Sequence, residues 1–223
     1  MSNGFSTQVP KELYKLCQQV ARDIYDTKKP SEQYADRVAR LLFMTMAHES
    51  DNFAFRRQRG CGLASPIGAW GIMQTEWGSM LDSFRALEAR PTLRTRCLEA
   101  LSPESGKALL AAIANVDAFF DDWEHKTSKM RAEQMEFLLP LTEEGGDLLS
   151  VILARLHYLR NASPVPASEG QMAEYAKFVY NTARGKASSL RYLEAYKRWA
   201  SYVIDTPQTQ KVEERKSGSD NKS

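Results

Sequence analysis

Cysteine is scarce in this 223-residue chain: Cys17, Cys61 and Cys97 stand far apart and are odd in number. That excludes a disulfide framework and the paired spacings of a structural zinc site, and leaves reduced thiols as the expectation. The three histidines, His48, His125 and His157, form neither HxxxH nor HExxH, so no metal is expected. GxGxxG and GxxxxGK are both missing, which removes the usual nucleotide cradles. Nowhere do about 18 apolar residues run together, so stable membrane insertion is not expected. The opening MSNGFSTQVPKELYKLCQQV lacks a basic segment followed by an apolar one. The expectation is a protein made in the cytoplasm without a signal peptide. Formal net charge is only +2, too little for a nucleic-acid field, though compatible with an anionic polymer.

What is present is helical periodicity. Pro10 opens a helix over 10–26, with Leu13, Leu16, Cys17, Val20 and Ile24 at helical spacing. Ser31 is placed to cap the next, where Tyr34, Val38, Leu41, Leu42 and Thr45 share a face that runs to Glu49. Residues 59–71 are rich in glycine and read as a loop or short hairpin. Further helices fit 76–89, 102–122 (Ser102 as cap, Pro103 at the first position), 128–140, 146–161, 168–181 and 188–204. SPVPAS at 163–168 is a link, and the tail from Thr206, with no aromatic, is expected to be disordered. The fold class expected is mainly α: one domain over 1–205, with a small irregular or β-like insert near 52–72 and a helical insertion over about 85–145.

Three short motifs carry chemistry. Glu49 ends an apolar helical run within MAHESDNF; a carboxyl held among apolar groups keeps its proton toward neutral pH, as a general acid must. A glycine-bounded turn, Gly71-Ile72-Met73-Gln74, follows, with Glu76 two residues beyond the Gln. Much later come Tyr180 and Asn181. In this order the motifs resemble those of the lysozyme-like superfamily, and most closely soluble lytic transglycosylases and goose-type lysozymes. Those families have an E-S dipeptide at a helix end, a G-L-M-Q turn and an A-Y-N-A-G segment. The resemblance covers roughly residues 35–80 and 150–200. Asn181 to Ala187 also looks like the YNT-x-x-GKA ending of phage-encoded and secretion-system peptidoglycan hydrolases.

The resemblance implies a lysozyme-like fold and a glycosidase acting on the MurNAc–GlcNAc β-1,4 bond of peptidoglycan, with Glu49 as acid and then base. Ser50 would orient substrate or bond backbone at the helix end. Met73 and Gln74 would line the sugar cleft, Tyr180 would reach the catalytic carboxyl, and Asn181 would hold backbone or sugar. After the Asn the families continue with Ala and then Gly; here Thr182, Ala183 and Arg184 precede Gly185, which leaves the local loop geometry open. Glu76 occupies the place of a goose-type Asp and is either a second catalytic carboxylate that activates water or an acid at a helix N-terminus; Asp51 is a weaker alternative. With water as nucleophile the protein would be a muramidase; with the muramic 6-hydroxyl, a lytic transglycosylase. No cofactor is implied. The partners implied are glycan strands and a phage-particle or secretion-machine carrier that delivers the chain to the wall. The alternative is a non-catalytic wall-binding or structural component that keeps the fold, and a third option is cleavage of chitin or chitosan. Trp70 is the best-placed sugar-stacking candidate. Arg184, Lys186 and Arg191, like Arg56, Arg57 and Arg59, would either meet stem-peptide carboxylates or form solvated basic faces.

Overall fold

The computed structural model describes residues 8–61, 68–125, 130–181 and 187–204. Thr182, Ala183, Arg184, Gly185 and Lys186, and the tail from Thr206, lie outside them. Ten α-helices are described, with one hairpin of two-residue strands, so the fold is mainly α.

The helices begin where local chemistry starts them. Helix α1 spans Gln8–Asp23 and α2 spans Glu32–Glu49. The Ser31 hydroxyl caps α2 by accepting the Tyr34 amide at 3.3 Å. From Leu41 to Ala47 every α2 side chain is buried, so this helix runs through the interior. Helix α8, Asp147–Leu159, is equally enclosed from Leu149 to Leu156. Each apolar side chain so buried contributes roughly 1.5–3 kcal/mol, which makes these two helices the axis of the core. Helices α9 (Glu169–Val179) and α10 (Ser189–Val203) pack with α1 against α2.

Helices α3 (Trp77–Glu88), α4 (Pro91–Ala100), α5 (Pro103–Ala114), α6 (Val116–Glu124) and α7 (Ala132–Leu138) form the remaining part and reach α8 through α3. Trp77, Phe84, Phe119 and Phe137 interlock there, with ring centroids 5.0–6.0 Å apart. All of these belong to one hydrophobic cluster with α2 and α8.

Three expectations need correction. The single helix over 102–122 is two, broken at Asn115, whose side-chain amide donates to the Ala111 carbonyl at 2.8 Å and competes with the backbone ladder. Helix α4 forms over a stretch with no helix expected; Pro91 starts it and Leu93 and Cys97 anchor it. Helix α7 begins at Ala132 and runs into a 3₁₀ turn over Leu139–Thr142, where Pro140 ends the regular pattern.

The β-like insert is real but small and extends past 72. Strand β1, Ala69–Trp70, pairs antiparallel with β2, Thr75–Glu76, in register Ala69 with Glu76 and Trp70 with Thr75. Arg57 adds a bridge to Trp70.

Candidate functional site

Glu49 is the last residue of α2, and Ser50 caps the end. Asp51, Asn52 and Phe53 then take left-handed backbone angles, with φ of 50°, 60° and 70°. Such angles cost about 1–2 kcal/mol each in non-glycine residues, so the surroundings must over-determine them. They do. The Ser50 hydroxyl donates to the Met46 carbonyl at 2.6 Å and accepts the Phe53 amide at 2.8 Å. The Asn52 amide returns to the Ala47 carbonyl at 2.8 Å, and the Trp199 indole donates to the Asn52 side chain at 3.0 Å. Phe53 packs between Phe43 and Trp199. The turn sends the chain back into the core and leaves Glu49 at the cleft.

The opposite wall is the hairpin. Gly71 has φ of 74°, and a Cβ there would lie 2.3 Å from the Ser150 hydroxyl. Only glycine lets this strand end press so closely on α8. The Ser150 hydroxyl accepts the Met73 amide at 3.1 Å, and the Gln74 side chain folds back onto the Gly71 carbonyl at 2.8 Å. Arg56 holds the segment to α8 through two 2.7 Å hydrogen bonds to the buried Asp147 carboxylate.

Between the walls lies a cleft of about 610 Å³, lined by Glu49, Gln74, Thr75, Glu76, His157, Tyr180 and Asn181 among others. Five predicted positions thus meet: Glu49, Gln74, Glu76, Tyr180 and Asn181. Burial pushes the Glu49 carboxyl up, and the charge of Glu76 adds to this; donors from Tyr192 and Asn181 and the charge of Lys177 oppose it. The Tyr192 hydroxyl and the Asn181 amide, the latter at 3.3 Å, both donate to Oε1. Among the described residues Oε2 accepts no hydrogen bond, which leaves one oxygen for chemistry. Glu76 is exposed at the N-cap position of α3 and makes no side-chain capping bond there.

The remaining expected roles divide. Ser50 is fully buried and spends its hydroxyl on backbone, so it is the helix-end group of the two expected alternatives. Met73 is fully buried too; its side chain fills core and only its backbone supports the turn. The Tyr180 hydroxyl does not bond Glu49: it donates to the Met73 carbonyl at 2.8 Å and contacts the Thr75 hydroxyl at 2.9 Å. Trp70 is enclosed, with the Arg57 guanidinium 3.9 Å above its ring, and cannot stack on a sugar. Neither Arg56 nor Arg57 is part of a solvated patch, since Arg57 donates to the Ala69 carbonyl. Asp51 pairs with Arg59 at 2.7 Å on the surface.

Sequence reasoning missed Tyr192, which lies 143 positions from Glu49. Its ring also lies 4.0 Å from that of His48, and burial together with Arg191 pushes His48 down to about 4. Helical spacing marks Tyr192, Tyr196 and Trp199 as one face, but nothing local aims the hydroxyl at an acid. His157 was missed as well. Its Nε2 donates to the Val179 carbonyl at 2.8 Å, and burial pushes its pKa down, so the ring is neutral at pH 7.

Comparison of the chain with protein-family models, with curated proteins and with solved structures gave no match. Among the described residues no helix is long and apolar enough to cross a membrane.

Proposed function

We propose that this protein cleaves the β-1,4 bond between N-acetylmuramic acid and N-acetylglucosamine in peptidoglycan, and that its fold is lysozyme-like. The observation that carries the reading is the environment of Glu49: a desolvated carboxyl on a wide cleft, with one oxygen held by Tyr192 and Asn181 and the other unbonded among the described residues. The motif resemblance points to the same residue independently.

In the reaction, Glu49 donates its proton to the glycosidic oxygen as the C1–O bond breaks and positive charge builds on the sugar ring. Where Glu49 acts alone, the resulting carboxylate takes a proton from the nucleophile that closes on C1 and Glu49 ends as it began; where Glu76 activates water, Glu76 takes that proton and Glu49 recovers its own from solvent. If the nucleophile is water, the product is a reducing end. If it is the 6-hydroxyl of the same muramic residue, the product is a 1,6-anhydro ring, favoured because the nucleophile is already tethered. Glu76 is the group that separates the two. Its carboxylate faces the cleft and its charge acts on Glu49. If it activates water, Glu76→Gln suppresses reducing-end release; if it does not, the anhydro yield is unchanged.

Zymography on purified murein, wild type beside Glu49→Gln, tests the reading, and mass spectrometry of the products fixes the bond and the nucleophile. Clearing by wild type alone is expected. Equal clearing by both overturns the assignment of Glu49, and clearing by neither favours a wall-binding component.

A further inference from the structure

The cleft is not the only concavity among the described residues. Val179 and Tyr180 are consecutive, yet Tyr180 lines the cleft while Val179 lines a second niche of about 410 Å³. His157, on the cleft, holds the Val179 carbonyl between them. The niche is built from α9 and the link that precedes it. Phe178, 64% exposed, is the most exposed large apolar side chain among the described residues. An exposed phenyl ring alone says little; its neighbours say more.

Asn161 uses its Oδ1 to accept the Ser163 amide at 2.8 Å, and its side-chain N–H groups donate to none of the described residues. Gln171 accepts the Ser168 hydroxyl on its Oε1 at 2.9 Å, and its side-chain N–H groups likewise donate to none of the described residues. The Glu174 carboxylate accepts no hydrogen bond from any described residue. Beside them Tyr175 is fixed: its hydroxyl donates to the Ser163 carbonyl at 3.1 Å and its ring stacks on Tyr158 at 5.8 Å. Two amide donors, one carboxylate acceptor and an exposed phenyl ring therefore border one shallow, open niche.

The chemistry selects the ligand. No Lys or Arg lines the niche, and its one formal charge is negative, which disfavours phosphate and carboxylate groups. A pyranose ring offers what the lining lacks: vicinal hydroxyls that both accept from amides and donate to a carboxylate, and a C–H face for the phenyl ring. We infer that this niche is a second saccharide-binding site, which holds an N-acetylglucosamine unit of the glycan strand, the sugar without the lactyl carboxylate, away from the scissile bond. The inference deepens the proposed function and rests on it for the identity of the polymer. Binding energy gathered there helps to hold a long strand in register at Glu49.

The test is a ¹H–¹⁵N titration of the full chain carrying Glu49→Gln, with and without Phe178→Ala. The probe is a peptide-free tetrasaccharide of alternating N-acetylglucosamine and N-acetylmuramic acid. Expected are shifts of the Gln171, Glu174 and Phe178 amides and of the cleft amides. Phe178→Ala, at an exposed position, should weaken the niche response roughly tenfold and leave the cleft response and the rest of the spectrum in place. Shifts confined to the cleft overturn the niche and spare the proposed function. Shifts confined to the niche support the niche and count against Glu49 as the site of cleavage. A spectrum that does not respond overturns the niche, while zymography still judges Glu49. A separate titration with the stem peptide alone guards against an ammonium ligand at Glu174: a niche response to peptide without one to glycan overturns the inference.

Discussion

The wall that carries Glu49 and the wall that carries Glu76 border one cleft and are built in opposite ways. Glu49 closes a helix that is buried on every side from Leu41 to Ala47, and its carboxyl is held by donors from α10 and from just past the end of α9. Glu76 sits in a two-residue strand, exposed, at the start of α3, where the helix dipole favours negative charge. Two side chains of one type thus receive different environments. Burial opposes the charge of the first, and its neighbours fix its direction. The second keeps contact with water. The lesson is that proximity to a cleft does not assign a role to an acid; desolvation and committed hydrogen bonds do.

The buried acid, Glu49, is expected to give the largest effect. Glu49→Gln keeps the shape and removes the proton, and turnover on murein should fall by ~10²–10⁴-fold, measured as released muropeptides. The same variant should raise the melting temperature at pH 7. A carboxyl whose folded pKa is raised burdens the fold once ionised; that burden appears as pH rises through the unfolded value near 4.3 and is complete above the folded one. The gain should therefore shrink as the scan moves to pH 4, and a pH-independent gain would refute the desolvation account.

Next comes the hairpin wall. In Gly71→Ala a methyl group meets the Ser150 hydroxyl at a backbone angle of φ 74°. Overpacking and the left-handed angle together should cost on the order of 2–4 kcal/mol, read from urea denaturation. An unchanged midpoint would mean that the wall yields.

Tyr192→Phe sharpens the tuning of Glu49. The tyrosine hydroxyl lowers the carboxyl pKa against burial, so its loss raises it further. The limb on which activity falls with rising pH, set by loss of the acid proton, should move to higher pH, and the rate should drop roughly tenfold, a loss of about 1.4 kcal/mol. A limb that stays in place would make Tyr192 only a packing residue. Asn181→Ala should move the same limb the same way by less, since its bond is longer at 3.3 Å. The pH–rate profiles of the two variants, compared side by side, rank the two donors.

Helix starts were legible because they are local events. Ser31 and Ser102 each cap with their own hydroxyl, three residues from the amide they hold. The helix break at Asn115 was not legible, because a side chain competing for one carbonyl leaves no periodic trace. In the site, the acids and Gln74 and Asn181 were legible as motifs. The inward turn of Met73 was not, because burial depends on which helix covers a residue, and α8 is far along the chain.

The sequence by itself determined a mainly helical chain, the start of most helices, a glycine at the one strand end that must approach α8, and a carboxyl at the end of an apolar helix. Each follows from spacing within a few residues. The tertiary structure alone decided which groups surround that carboxyl: Tyr192 in place of Tyr180 as its phenol, Met73 and Trp70 in the core, and Asn161, Gln171, Glu174 and Phe178 around one niche. Hydrogen bonding and desolvation act over a few ångströms in space, and chain distance carries no record of them.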